Sequence, residues 1–128
     1  IKVVEAMDAG AVYLKEDIAL YGTADEIFMR ASKIVFEKMI PKILIDNILP
    51  EEQQGEVTAF KRRKPKESNI ESLKSIEDVY DYIRMLDGEG YPKAFIETDH
   101  FKIEFSRASL KSDGIITDAK ITIKDEIK

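Results

Sequence analysis

Apolar positions fall at helical spacing in two stretches of this chain and at every second position in its last third. Ile27, Ala31, Ile34 and Val35, with Phe28, Met39 and Ile40, recur three or four residues apart, which predicts a helix from residue 24 to about 46. Thr23-Ala24-Asp25-Glu26 starts it as a capping box: the Thr hydroxyl accepts from the Glu26 amide while the Glu carboxylate reaches back. Pro41 lies inside the pattern, where it lacks an amide donor and crowds the preceding turn. A kink or break is therefore expected over Glu37 to Ile40. Ile76, Val79, Ile83 and Leu86 form a second stripe, opened by Ser75 as N-cap and by Glu77 and Asp78 in the first turn, and closed by Gly88 and Gly90.

Beyond Gly90 the period changes from helical to alternating. Ala94 to Glu97 reads as a strand and Thr98-Asp99-His100 as a tight connection. Phe101, Ile103 and Phe105 alternate with Lys102, Glu104 and Ser106; Ser112-Asp113-Gly114 is a turn; Ala119, Ile121 and Ile123 alternate with Lys120, Thr122 and Lys124. Shorter alternating runs at Lys2 to Ala6, Val12 to Leu14 and Val57 to Phe60 are further strand candidates, and Asn47 to Gly55 is a loop. The order of elements predicts an α+β fold. A basic run, Lys61-Arg62-Arg63-Lys64-Pro65-Lys66, punctuates it and suggests a division into residues 1–60, a linker over 61–71 and a helix-plus-sheet region over 72–128.

Composition narrows the class of protein. The chain has 128 residues, 44% of them apolar and 35% charged, as ordinary globular domains do. No apolar run approaches the roughly 20 residues that span a bilayer, so no membrane partner is expected. There is no cysteine to form disulfides or thiolate sites. Together these features point to the cytoplasm. A net charge of −5 disfavours general affinity for nucleic acid, although charge can be segregated locally. No spacing of His, Asp and Glu resembles a metal site, and no glycine-rich loop is built to cradle phosphate.

Two segments carry a family resemblance. Tyr82-Ile83-Arg84-Met85-Leu86-Asp87-Gly88-Glu89-Gly90-Tyr91-Pro92-Lys93-Ala94-Phe95 resembles the run that opens the C-terminal domain of folate-dependent formyltransferases. Met7-Asp8-Ala9-Gly10-Ala11-Val12-Tyr13-Leu14-Lys15-Glu16 resembles the segment that ends their catalytic domain, and the two stand in the family's order. The resemblance implies the tail of an α/β formyltransferase domain followed by a small, barrel-like helix-plus-antiparallel-sheet domain. It also implies a parent enzyme that moves a formyl group from 10-formyl-tetrahydrofolate to an amine. With Ile1 falling inside an apparent strand and the resemblance beginning mid-domain, the native polypeptide is expected to continue upstream, and this chain alone is expected to be inactive.

The same resemblance assigns roles. Asp8 would be the catalytic aspartate, orienting and supporting a histidine and a proton-relaying water, and Gly10 would let the backbone turn tightly beside the bound folate. Without the resemblance, Asp8-Ala9-Gly10 is simply a turn. The family's Asn and His are not found here, since His100, the only histidine, reads as an exposed turn residue. Arg62 and Arg63 are the candidate substrate-binding pair, because guanidinium forks suit phosphate and a similar basic run follows the catalytic domain in formyltransferases acting on nucleotide-linked sugars. A solvated linker is the competing reading. Ser106-Arg107-Ala108-Ser109, polar within a strand, suggests contact with another surface. The acidic balance and short C-terminal part favour an amino sugar on a nucleotide as acceptor, with initiator tRNA as the alternative. Two further readings are a non-catalytic module that binds sugar nucleotide or RNA, and a structural or oligomerisation domain, such as a homodimer, using the apolar edge strand around Phe101 to Phe105.

Overall fold

Reciprocal capping sets where the first helix begins. The Thr23 amide donates to Glu26 Oε2 at 2.8 Å and the Glu26 amide to Thr23 Oγ1 at 3.4 Å. From there α1 runs over Ala24–Ile34, passes through a π-helical turn at Val35–Met39 and continues as α2, Ile40–Asp46. The π turn sits immediately before Pro41, and the Ile40 amide closes it onto the Val35 carbonyl. Widening the helix there relieves the crowding that a proline ring imposes on the carbonyl one turn back, so the expected break takes the form of a bulge. Asn47, in the left-handed conformation with φ 49°, ends α2.

The computed structural model describes residues 1–124 and divides into two compact units. One comprises Ile1–Leu20 and Ile27–Lys61; the other takes Tyr21–Glu26 and the chain from Arg62 onward. In the first unit, no strand forms at residues 2–6 or 57–60 among the described residues, contrary to expectation. Val3 and Val57 are 95% and 96% exposed, and alternation over four or five residues cannot make a strand without a neighbour to pair with. Val12 does pair, but only through a single bridge to Glu51, with N···O distances of 2.8 and 2.9 Å.

The second unit holds a short 3-10 turn, Pro65–Ser68, then α3, Ile76–Leu86, and the strands β1, Ala94–Glu97, β2, Phe101–Lys111, and β3, Gly114–Ile123. Ser75 Oγ caps α3 by accepting from the Asp78 amide at 3.0 Å. The sheet is antiparallel in the order β1-β2-β3, with Ala94 opposite Phe105 and Phe105 opposite Ala119. Ile83 and Leu86 of α3 pack with Ile70 and Ala94, and Val79, Ile96 and Phe105 close around them. This is an α+β arrangement, with the helix stripe facing the apolar side of the sheet. Phe101 to Phe105 lies in the middle strand, paired on both sides, so it cannot be the exposed edge that the sequence suggested. The open edge among the described strands is β3, because β1 is flanked on its far side by a parallel bridge from Asn69 to Phe95.

A bulge interrupts β2. Ser106 pairs with Asp118 and Ser109 with Ile116, so Arg107 and Ala108 together face Thr117. Arg107 adopts φ 53°, a left-handed conformation that is unfavourable for a residue with a side chain. Its displaced amide donates to Asp87 Oδ2 at 2.6 Å, and the other oxygen of that carboxylate accepts from Lys93 Nζ at 2.7 Å. Asp87 therefore ties the end of α3, the residue after the Tyr91-Pro92 turn and the bulge into one knot. Gly90, at φ 76°, supplies the left-handed step that lets the loop fold back so that Lys93 reaches Asp87.

Burial works against the charge of the Asp87 carboxyl, whose side chain is only 12% exposed. The Lys93 hydrogen bond, the Arg107 amide and the positive charges of both side chains outweigh it and hold the carboxyl below its usual range. A carboxyl depressed in the folded state adds stability that is fully present above its unfolded value of about 3.9 and is lost as pH falls through the folded value. Asp87→Ala leaves the Arg107 amide and the Lys93 ammonium without their acceptor and should cost about 2–4 kcal/mol in urea unfolding near neutral pH. Asp87→Asn should cost less and flatten the acid limb of the stability–pH curve below about pH 4. An acid limb as steep in Asp87→Asn as in the parent chain would contradict the assignment.

Candidate functional site

The Asp8 turn is built by contacts distant in sequence. Asp8 takes φ 56°, a conformation that Asp and Asn tolerate better than most residues. Gln53 Nε2 donates to the Asp8 carbonyl at 2.7 Å and to the Gly10 carbonyl at 2.8 Å, bracketing the turn with one side-chain amide. The Lys2 amide donates to the Ala11 carbonyl at 2.7 Å, laying the first residues against the turn. Gly10 is buried, and a Cβ there would stand 1.8 Å from the Lys2 carbonyl oxygen. Its glycine thus permits a close approach of two backbone segments. The Asp8 residue itself is exposed, so its carboxylate is free of burial and open to a ligand.

Beside this turn lies a groove of about 830 Å³ lined by Val12, Tyr13, Leu14, Ile48, Leu49 and the Glu51–Gln54 stretch. Its lining mixes apolar side chains with the polar Lys15 and Glu51–Gln54, and it is open to solvent. Gln53 belongs to both the groove and the turn. Sequence reasoning placed residue 53 in a polar loop and assigned it no role, since nothing local marks a glutamine whose partners lie 45 and 43 residues away.

From Arg62 onward the basic run belongs to the second unit. Arg62 and Arg63 are both exposed. Arg63 Nη2 donates to the Glu67 carbonyl at 2.7 Å, and its guanidinium lies 5.0 Å from the centre of the Tyr82 ring, a cation–π contact. The Glu67 carboxylate turns back onto the Lys64 amide and fixes the 3-10 turn that Pro65 opens. Arg63, Lys66, Asn69, Ser72 and Tyr82, with Glu67 and Glu71, line a groove of about 530 Å³. Arg63 is thus held on an aromatic face, and its neighbour Arg62 is exposed. His100 sits at the β1–β2 turn, edge-on to Phe101 with ring centres 6.4 Å apart. Among the described residues, no group of His, Asp and Glu is arranged to hold a metal ion.

The helix facing a three-stranded sheet, entered through the Asp87–Lys93 loop, lies almost wholly within the stretch that matches a known family. The family model for "Methionyl-tRNA formyltransferase, C-terminal domain" matches residues 65–122. Among solved structures, it is similar to methionyl-tRNA formyltransferase from Clostridium thermocellum, with 53% sequence identity and a TM-score of 0.91 over 97% of this chain. The chain spans 55% of the length of that protein. A search of curated proteins gave no match.

Two substitutions separate the parts of the Asp8 turn. Gln53→Ala removes two hydrogen bonds to carbonyls and should cost about 1–2 kcal/mol of stability. Gly10→Ala drives a methyl into the Lys2 backbone and should cost about 1–3 kcal/mol, detaching the first residues. Hydrogen exchange checks both: the Lys2 amide, which donates to the Ala11 carbonyl, should exchange faster in each variant, and unchanged exchange in Gly10→Ala would show that this packing does not exist in solution.

Proposed function

We propose that this chain is the C-terminal part of a methionyl-tRNA formyltransferase, in which a formyl group passes from 10-formyl-tetrahydrofolate to the amine of methionine on initiator tRNA in the cytoplasm. The observation that carries the reading is the 53% identity sustained over 97% of the chain, together with the family match at residues 65–122. An amino sugar on a nucleotide, the acceptor favoured by the acidic sequence, has no support in either comparison. A net charge of −5 sums over the whole chain and hides a local excess: residues 61–66 contain five cations and no acid. No helix among the described residues is long and apolar enough to cross a membrane.

Formyl transfer requires that the attacking amine lose a proton and that the oxygen of the tetrahedral intermediate be stabilised by donors aimed at it. In this reading Asp8 supplies a fixed negative charge that orients the proton-carrying partner and favours its charged form. Gln53 holds the turn by donating to the Asp8 and Gly10 carbonyls, leaving the Asp8 side chain unengaged by it. The groove walled by Val12, Leu14 and Leu49 suits the ring of the folate donor, and Glu51 to Gln54 offer polar partners for its edges. The exposed apolar side chains of Phe36, Leu44 and Ile45 support the view that α1 and α2 pack into a larger domain. Arg62 and Arg63, the latter propped on Tyr82, provide a cationic approach for the phosphate backbone of the acceptor.

Two measurements on the full-length parent test this reading. Asp8→Asn keeps the left-handed turn, which Asn tolerates, and removes only the charge. Turnover should fall by about 100-fold or more while melting stays within a few degrees; a wild-type rate would reduce Asp8 to a turn residue. Replacing Arg62 and Arg63 together with Ala should weaken acceptor binding and lower the slope of log affinity against log salt by about 1–2, without changing folate affinity. An unchanged slope would return the run to a solvated linker.

A further inference from the structure

The groove of about 530 Å³ in the second unit carries charges of both signs that do not pair with one another. Arg63, Lys66 and Glu71 line it, and none of the three enters an ion pair among the described residues. Arg63 is fixed at two points, since its Nη2 donates to the Glu67 carbonyl and its guanidinium lies over the Tyr82 ring. Tyr82 is itself seated, because it packs against the core of Ile70, Ile83, Leu86 and Ala94. The two side chains together make a rigid cationic and aromatic platform. Asn69 Oδ1 accepts from the Glu71 amide at 2.8 Å, which leaves the Asn69 NH2 group as a donor. Ser72 adds a hydroxyl to the same lining.

A ligand for this lining must bring negative charge for Arg63 and Lys66 and N–H or O–H donors for Glu71. Inorganic phosphate brings the charge but sets it against the Glu71 carboxylate. An RNA duplex presents phosphates too, but its bases are paired and stacked within the helix. A ribonucleotide out of the stack presents a phosphate, a base edge with donors and a 2′-hydroxyl at once. Its base meets a guanidinium and an aromatic ring, the two kinds of side chain on which unstacked bases lie. The volume of the groove is that of a site for one small ligand, not of a track for many phosphates. We propose that the groove is a subsite for one unpaired ribonucleotide. Its base lies on the Arg63–Tyr82 pair, its phosphate on Lys66, and a donor of its base or ribose on Glu71. This rests on the reading of the acceptor as RNA. It adds that an unpaired base is recognised, beyond the charge of the backbone.

Nuclear magnetic resonance titration of the full chain tests the proposal. The probes are a short single-stranded RNA, the same RNA annealed to its complement, adenosine monophosphate and inorganic phosphate. The single strand should shift the Asn69, Ser72 and Tyr82 amides saturably and bind at least about tenfold more tightly than the duplex. Arg63→Lys keeps the charge and removes the planar group, so it should weaken the single strand at least about fivefold and spare the duplex. Glu71→Ala should also weaken the single strand, whereas a surface that reads phosphate alone would bind it more tightly without the carboxylate. Equal affinity for both RNA forms, with Arg63→Lys behaving as wild type, would overturn the base subsite and leave the phosphate reading of Arg62 and Arg63 in place. Adenosine monophosphate bound as tightly as the single strand, with the same loss in Arg63→Lys, would assign the groove to a free nucleotide and overturn the RNA source. Inorganic phosphate that reproduces the shifts of the single strand would overturn the subsite as well. A wild-type chain that binds neither RNA would overturn it together with the RNA reading on which it rests.

Discussion

The carboxylate of Asp87 is the constraint on which the sheet unit depends. One oxygen takes the Lys93 ammonium from just before β1, and the other takes the Arg107 amide from the β2 bulge. These contacts bring together the end of the helix and the two strands it packs on. Arg107 is held in a left-handed conformation, which would be unfavourable without a strong acceptor for its displaced amide. The bulge turns the Arg107 side chain outward, where it pairs with Asp118 on β3. A single partly buried charge therefore relates the helix, the Tyr-Pro loop and all three strands. Around it, Ile83, Leu86, Ala94 and Ile70 supply the apolar contact that makes the unit compact.

The other unit works on a similar principle with a neutral group. Gln53 spans two carbonyls of the Asp8 turn, and Gly10 lets the Lys2 backbone close over it. Both arrangements fix the backbone around an acidic residue, but with opposite results. Asp87 is enclosed and consumed by structure, whereas Asp8 is left exposed. That contrast is the physical basis for reading Asp8 as the group that acts on a substrate and Asp87 as the group that holds the fold. The run beginning at Tyr82 is accordingly structural in this chain: its Asp87 and Lys93 bond to each other across the double-glycine loop.

Much of the fold was legible because it rests on local rules. Thr23 and Glu26, Ser75 and Asp78, and the alternation from Phe101 to Phe105 all act over a few residues, and each forms as its pattern predicts. The π turn was legible as a break before Pro41 but not in its form, since a proline can kink, end or widen a helix depending on what packs around it. Strands at residues 2–6 and 57–60 were overread because alternation reports a face to bury, not a partner to pair with. The Asp87 knot, the Arg107 bulge and the Gln53 bracket were invisible for a shared reason: each joins residues whose separation leaves no periodic trace. The polar Ser106–Ser109 stretch did carry a signal, but its polarity marks the bulge within the sheet.

The acceptor is the point on which the functional account turns. The most direct measurement compares kcat/KM of the full-length parent for formylation of methionyl initiator tRNA and of a nucleotide-linked amino sugar, with 10-formyl-tetrahydrofolate as donor in both cases. The account predicts efficient formylation of the tRNA-borne methionine and no measurable transfer to the sugar. Transfer to the amino sugar with none to the tRNA would contradict it.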